Sequence, residues 1–154
     1  MKPLPRLLVL VGLPGCGKST WARDQGLPTV SSDAMRQLLA DDITNQSIHK
    51  QVFAAMRYLI RQRIALGRPV TCVDATHLTP RERRPYFRIK GCRVEAVYFR
   101  VPVNICQQRN ALRDRVVPPD VIERMAAKLV RPSKKEGFSR IWLVTPERQG
   151  GEHP

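Results

Sequence analysis

Short apolar runs alternate along the chain with longer segments in which apolar residues recur at helical spacing. The runs of strand length are 6–11, 28–33, 70–73, 93–99 and 138–144. The predicted helices are 20–25, 34–40, 47–66, 80–89, 102–113 and 121–129. Strands that alternate with helices in this way predict an α/β fold, in which helices cover both faces of a parallel sheet.

The loop after the first predicted strand reads G-L-P-G-C-G-K-S-T over residues 12–20. It fits the spacing G-x-x-x-x-G-K-[ST], in which backbone N–H groups surround the phosphates of a nucleoside triphosphate. Lys18 brings positive charge to the β and γ phosphates, and the Ser19 hydroxyl is a ligand for Mg²⁺. We therefore predict a site for ATP or another NTP. Its predicted loop residues are Gly12, Pro14, Gly15, Cys16, Gly17, Lys18, Ser19 and Thr20.

The second predicted strand ends in a polar cluster at the sheet edge where ligands bind in open α/β folds. Asp33 in this cluster can accept the proton of an attacking hydroxyl, or it can cap the following helix, a role also open to Ser32. Arg36 lies one helical turn further on, so both side chains can point the same way. We predict that Asp33 and Arg36 hold a hydroxyl and the phosphate next to it, and we assign both as catalytic together with Lys18.

The third predicted strand leads directly into Asp74. This carboxylate can hold Mg²⁺ through water, anchor a nearby arginine, or simply form a turn at the strand end. We predict Ser19 and Asp74 as the metal-binding residues. His77 in the same loop is expected to be a polar loop residue or a substrate contact rather than a catalytic base.

Arg109 and Arg113 are four residues apart in the predicted helix 102–113, and therefore on one face. Arg115 follows in a loop. A helical arginine lid over about 109–120 would bring positive charge to the transferring phosphoryl group, although a solvated basic face is the alternative. We predict that Arg109 is catalytic and that Arg109 and Arg113 both bind the nucleotide.

Lysine and arginine number 27 against 13 acidic residues, which gives a formal net charge of +14. An arginine-rich surface suits a phosphate-rich partner, and the alternative is charge that serves only solubility. We expect most cations to be solvated and a few to follow a nucleic-acid backbone. The basic cluster is Arg57, Arg61, Arg63, Arg81, Arg83, Arg84, Arg88, Lys90 and Arg93. Aromatic residues make up 6%, too few for a base-stacking platform, so only Tyr86 or Phe87 is a candidate for stacking on a base.

The length of 154 residues suits one domain, with a core over about 6–145 and frayed ends at 1–5 and 146–154. No apolar run is long enough to predict a membrane span, and the cytoplasm is the expected compartment. The isolated cysteines predict neither a zinc site nor disulfides. Cys72 and Cys106 are expected in or near the core. Cys16 is either a filler of the phosphate loop or a reactive thiol.

Several spaced motifs together resemble the 5′-hydroxyl polynucleotide kinases, particularly the kinase domain of bacterial end-healing polynucleotide kinase-phosphatase. The resemblance spans about 7–144. Its motifs are G-L-P-G-C-G-K-S-T-W-A-R at 12–23, S-S-D-A-M-R at 31–36, D-D-I-T-N-Q at 41–46, V-D-A-T-H-L at 73–78, Q-R-N-A-L-R at 108–113 and E-G-F-S-R-I at 136–141.

This resemblance implies a P-loop fold of three layers, α/β/α, with five parallel strands in the order 2-3-1-4-5. It implies ATP and Mg²⁺ as cofactors and nucleic-acid 5′-hydroxyl ends, of RNA or DNA, as the substrate. Asp33 would be the general base, Arg36 a contact to the scissile or neighbouring phosphate, and Arg109 and Arg113 lid residues.

The sequence departs from the family at two positions, since phage-type members have arginine at the position of Ser32 and relatives often have asparagine at that of His77. We expect no phosphatase or ligase module. A kinase of a small metabolite or nucleotide sugar remains the alternative, followed by an NTP-binding switch.

Overall fold

The computed structural model describes residues 2–146 and contains one five-stranded parallel sheet. The strands are β1 (Arg6–Val11), β2 (Thr29–Ser31), β3 (Val70–Asp74), β4 (Arg93–Phe99) and β5 (Arg140–Val144). Their order across the sheet is β2-β3-β1-β4-β5. This result confirms the predicted α/β class and the strand order that the family resemblance implied.

Six α-helices connect the strands, as predicted, although their ends differ by up to three residues from the sequence-based bounds. They are α1 (Lys18–Asp24), α2 (Ser32–Ala40), α3 (His49–Ala65), α4 (Pro80–Phe87), α5 (Val103–Asn110) and α6 (Pro119–Lys128), and a 3₁₀ turn covers Lys134–Glu136. Residues 2–5 have no regular secondary structure, and the predicted frayed end at 146–154 lies outside the described residues except for Pro146. Within residues 2–146, no helix has both the length and the apolar character needed to cross a bilayer.

The central strand β1 is buried on both faces, because successive side chains of a strand point to opposite sides of the sheet. Leu7, Val9 and Val11 pack under α2, α3 and α4 in one core cluster. Leu8 and Leu10 pack on the other side against α1, α5 and α6. The sheet is therefore covered by helices on both faces, and its carboxyl edge is the open edge that remains for a ligand.

The first helix is held to the sheet by an aromatic contact of Trp21. The rings of Trp21 and Phe99 meet edge to face with centroids 5.5 Å apart. Cys72 and Cys106 are fully buried, which confirms their predicted place in the core. Burial raises the pKa of Cys72 to about 12 and that of Cys106 to about 11, so both thiols stay protonated at neutral pH.

The helix α2 begins directly after β2 ends, and Ser31 is its N-cap. The Ser31 hydroxyl accepts a hydrogen bond from the Ala34 N–H at 3.2 Å. The prediction that Ser32 or Asp33 caps the helix is therefore wrong, because the shorter strand puts Asp33 inside the first turn. The Asp33 carboxylate is left available for partners across the sheet edge.

His77 lies in the loop after β3, as predicted, but its ring is buried beneath the sheet edge, so the alternative of a substrate contact is wrong. One ring nitrogen lies 2.6 Å from the Leu10 carbonyl and the other 2.8 Å from the Tyr86 hydroxyl. Tyr86 is only 2% exposed, so it cannot stack on a base. Burial lowers the pKa of His77 to about 4, which keeps the imidazole neutral at physiological pH.

Arg83 is an exception to the expectation that most of the basic cluster is solvated, since it has no exposed surface. Its Nε and Nη2 donate to the Glu136 carboxylate at 2.9 and 3.1 Å. Its Nη1 donates to the carbonyls of His77 and Val130 at 3.0 and 2.9 Å. One guanidinium thus joins the loop after β3, the end of α6 and the approach to β5.

We predict that His77→Asn flattens the dependence of stability on acidic pH. The folded pKa of His77 is about 4 against an ordinary value of 6.5, so its contribution to stability is lost as pH falls from 6.5 towards 4. This single group should lower the free energy of unfolding by about 2 kcal/mol between pH 7 and pH 5. Urea unfolding of wild type and variant at both pH values measures the difference.

The matched control is His49→Asn, which replaces an exposed ring at the start of α3. It should keep the wild-type pH dependence. Equal pH dependence in His77→Asn and wild type would contradict a neutral buried imidazole at position 77.

Candidate active site

A cavity of about 910 Å³ opens at the carboxyl edge of the sheet, between the phosphate loop and the segment that follows α5. The strand register explains why the site forms there. The strand β1 pairs with β3, and Ser31 at the end of β2 pairs with Asp74 at the end of β3, so the residues that follow these strands meet at one edge of the sheet. The cavity brings together most of the predicted site residues. They include Pro14, Gly15, Gly17, Lys18, Ser19, Thr20, Asp33, Arg36, Asp74, Arg109 and Arg113.

The loop 12–17 is folded around the side chain of Lys18. The Lys18 Nζ donates to the carbonyls of Gly12 and Leu13 at 3.0 and 2.9 Å. Gly15 and Gly17 have φ values of 80° and 96°, which side-chain-bearing residues rarely adopt, and Gly17 immediately precedes α1. A loop that exposes a helix N-terminus beside a lysine fits the phosphates of a nucleotide.

Two predicted loop residues, Gly12 and Cys16, have packing roles instead of lining the cavity. A Cβ at Gly12 would lie 2.6 Å from the Cys16 Sγ and 3.0 Å from the Phe99 Cβ, so the position has no room for a side chain. Cys16 is 1% exposed, and burial raises the pKa of its thiol despite the nearby Lys18. Of the two roles left open for Cys16, the structure supports the loop filler.

Ser19 and Asp74 form the predicted metal pair. The Ser19 hydroxyl donates to the Asp74 carboxylate at 2.5 Å, across the space between α1 and β3. A hydroxyl and a carboxylate are hard oxygen ligands of the kind Mg²⁺ prefers. Among residues 2–146, no three His, Cys, Asp or Glu side chains gather into a metal cluster. The pair therefore fits a Mg²⁺ ion that takes its other ligands from phosphate oxygens and water.

Asp33 lies among three arginines on the opposite side of the cavity. Its Oδ1 accepts a hydrogen bond from the Arg115 Nη1 at 2.6 Å and lies 3.6 Å from the Arg36 Nη1. The Arg113 Nη2 is 3.7 Å from its Oδ2. Three cations around one carboxylate leave a net positive charge, so this part of the cavity favours a further anion.

Arg36 gives the strongest sign of a missing partner. It is 5% exposed, and within residues 2–146 its Nε is the one buried side-chain polar atom that has no hydrogen-bond partner. Burial lowers the pKa of Arg36, and the neighbouring Asp33 carboxylate opposes that shift. A buried guanidinium with an unused donor beside a cavity is suited to an oxyanion such as phosphate.

Arg109 and Arg113 do not share a helix face, which corrects the predicted arrangement of the lid. The helix α5 ends at Asn110, whose side chain accepts from the Val117 N–H at 3.1 Å and donates to the Val117 carbonyl at 2.5 Å. Arg109 donates to the Cys16 carbonyl at 3.4 Å and so lies over the phosphate loop. Arg113 instead reaches Asp33, which puts the two lid arginines at different ends of the cavity.

Arg115 lies in the predicted lid segment but was given no role at the site, although it lines the cavity and makes the shortest contact to Asp33. These two residues are 82 positions apart, and no local periodicity links them. The spacing of Arg113 and Arg115 two residues apart could have indicated that Arg115 belongs to the site, since residues two apart point to the same side of an extended chain.

A family model described as an AAA domain matches residues 7–132. The chain belongs to this AAA-domain family. The strand order β2-β3-β1-β4-β5 and the helices around it make its fold that of a P-loop kinase. One curated relative is L-seryl-tRNA(Sec) kinase from Methanococcus maripaludis, which is 27% identical over 139 residues. That match covers 84% of this chain and 54% of the relative.

Solved structures with the same fold include kinases of different acceptors. A chain of the Pnkp1/Rnl/Hen1 RNA repair complex superposes with a TM-score of 0.72 at 22% identity, covering 84% of this chain and 45% of that one. A gluconokinase from Sinorhizobium meliloti 1021 gives a TM-score of 0.58 at 19% identity, covering 94% and 84%. This chain therefore spans about half the length of the RNA repair chain and of the curated relative, and most of the length of the gluconokinase.

We predict that Asp74→Asn weakens the binding of Mg²⁺ while leaving the phosphate loop folded. Removal of the carboxylate charge should raise the Mg²⁺ concentration needed for half-maximal nucleotide binding by about 10- to 100-fold. Titration of a fluorescent ATP analogue at a series of Mg²⁺ concentrations measures this shift. Asp120→Asn, an exposed carboxylate on α6, is the control. An unchanged Mg²⁺ midpoint in Asp74→Asn would remove this residue from the metal site.

Proposed function

We propose that the protein is an ATP- and Mg²⁺-dependent kinase that phosphorylates the 5′-hydroxyl end of RNA or DNA. The observation that carries this proposal is the pairing of Asp33 with the buried Arg36, whose Nε has no partner, across the cavity from the phosphate loop. A carboxylate suits a hydroxyl that must lose a proton, and the guanidinium suits a phosphate next to that hydroxyl. A 5′ end of a nucleic acid carries both groups.

The donor half of the proposed reaction uses the phosphate loop. Lys18 and the loop N–H groups bind the β and γ phosphates and orient the terminal phosphorus towards Asp33. Ser19 and Asp74 would hold Mg²⁺, which supplies charge neutralisation on the phosphate oxygens when bound. Arg109, which lies over the loop, stabilises the negative charge on the transferring phosphoryl group.

The acceptor half uses the opposite wall of the cavity. Asp33 accepts the hydroxyl proton as the acceptor oxygen forms its bond to the γ phosphorus. The bond from that phosphorus to the β–γ bridging oxygen breaks, and ADP leaves. Arg36 binds the adjacent phosphate of the acceptor. Arg113 and Arg115 can contact the same phosphate, because both already reach into this part of the cavity.

Two other acceptors have support from the relatives. The similarity to L-seryl-tRNA(Sec) kinase favours a hydroxyl attached to a tRNA, and the gluconokinase neighbour favours a small metabolite. The three arginines around Asp33 leave a net positive charge, which favours an acceptor that carries an anionic group over a neutral sugar. An NTP-binding switch would have no use for a carboxylate that faces the phosphate loop.

We predict that Asp33→Asn lowers kcat for phosphoryl transfer to a 5′-hydroxyl oligonucleotide by about 10²- to 10⁴-fold. The substituted amide keeps the size of the side chain but cannot accept the proton, so ATP binding should stay within about twofold of wild type. Radiolabelled ATP, Mg²⁺ and oligonucleotides with 5′-hydroxyl ends provide the assay. Asp42→Asn, a carboxylate in an exposed turn, is the matched control.

The same assay distinguishes the possible acceptors. Seryl-tRNA and gluconate are offered in parallel with RNA and DNA oligonucleotides at equal concentration. Transfer to either of the first two and to no oligonucleotide would overturn the polynucleotide proposal. Full activity of Asp33→Asn on oligonucleotides would leave the kinase in place and remove Asp33 as the base.

A further inference from the structure

The longest helix, α3, carries positive charge without any acidic residue. Between residues 43 and 73 the sequence has five lysines and arginines and no aspartate or glutamate. The helix lies beside α4 on one face of the sheet, where Met56 and Ile60 share a core cluster with Tyr86 and Ile89. The outer surfaces of the two helices therefore form one continuous face, on which the positive charge is not balanced locally.

Six cations on this face define what we name the basic band. They are Arg57 and Arg61 of α3, Arg81, Arg84 and Arg88 of α4 and its end, and Lys90 just beyond. Arg57 is half-buried and the other five are exposed. Arg61, Arg88 and Lys90 line one shallow depression of about 370 Å³, which shows that the two helices bring their cations together.

Within residues 2–146, no acidic side chain forms an ion pair with the cations of the basic band. The nearby Arg83, by contrast, is paired with Glu136. The one acidic residue of α4, Glu82, accepts hydrogen bonds from the N–H groups of Leu78 and Thr79 at the helix start. Charges that the protein does not compensate are available to an external polyanion.

The basic band continues from the active-site cavity. His49 and Phe53 line the cavity, and Arg57 and Arg61 follow them along α3 at steps of four residues. The helical rise from His49 to Arg61 spans about 18 Å. A strand whose end occupies the cavity would therefore pass along these cations as it leaves the site.

We infer that the basic band binds the phosphodiester backbone of the acceptor strand, downstream of the 5′ end held at Asp33. The inference rests on the proposed function and adds where the body of the substrate lies. At an axial rise of about 3.4 Å per phosphate in a stacked strand, the span corresponds to about five nucleotides. The arginine forks of the band indicate contact with phosphates and little preference for sequence, and Tyr58 is the one exposed aromatic residue of α3 beside them.

The test compares Arg61→Gln/Arg88→Gln with wild type on two 5′-hydroxyl acceptors, a dodecanucleotide and a dinucleotide. Fluorescence anisotropy with a 3′-labelled dodecanucleotide gives binding at several salt concentrations, and radiolabelled ATP gives kcat and KM. Arg23→Gln/Arg124→Gln is the matched control, because it removes two exposed charges from α1 and α6.

The band variant should bind the dodecanucleotide about tenfold more weakly, with the same increase in KM. The salt slope of its binding constant should fall by about 1.4, at about 0.7 for each phosphate that is no longer neutralised. Its kinetics on the dinucleotide should equal those of wild type, and the control variant should match wild type on both acceptors.

Two results separate this inference from the proposed function. Phosphorylation of both acceptors with an unchanged KM in the band variant overturns the band and leaves the kinase proposal standing. Binding of the dodecanucleotide that depends on Arg61 and Arg88, without phosphoryl transfer to any oligonucleotide, supports the band and overturns the proposed acceptor end. Absence of dodecanucleotide binding by wild type overturns the inference outright.

Discussion

The buried guanidinium of Arg83 imposes the constraint on which the rest of the structure depends. A charge with no exposed surface must find acceptors for its N–H donors, and here it finds Glu136 and the carbonyls of His77 and Val130. These partners belong to the loop after β3, the end of α6 and the approach to β5. The loop after β3, the end of α6 and the approach to β5 are therefore fixed relative to one another by a single side chain.

The cavity at the carboxyl edge of the sheet has two walls. The phosphate loop, Ser19 and Asp74 occupy the wall built by β1 and β3, while Asp33 and Arg36 occupy the wall built by α2. The lid segment contacts both walls, because Arg109 reaches the phosphate loop and Arg115 reaches Asp33. The two groups of side chains thus reside on separate elements and face the same cavity.

The sequence was sufficient to predict the features that depend on local pattern, namely the strands, the fold class and the phosphate loop. Alternating apolar runs predicted the strands and their class, and the glycine spacing located the loop around Lys18. The strand order required the family resemblance, since periodicity does not state which strands are neighbours. The positions of Asp33 and Asp74 at one edge follow from the rule that parallel strands end together.

The errors concern residues whose partners are distant in sequence. His77 and Arg83 are polar side chains that local pattern places in solvent, yet each is buried by contacts formed only in the folded chain. The contact of Arg115 with Asp33 was missed for the same reason, since the two residues are 82 positions apart. The pattern of apolar and polar residues along the chain does not indicate which side chains distant in sequence will contact one another.

Asn110 has a consequence for how such a domain diversifies. Its side chain bonds to both backbone groups of Val117 and so ties the end of α5 to the far end of the segment 111–117. Replacement of residues 112–116 would exchange Arg113 and Arg115, which contact Asp33, while Asn110 and Val117 stay in place. Descendants of one ancestral domain could thereby keep a common phosphate donor while adopting acceptors as different as a sugar and an RNA end.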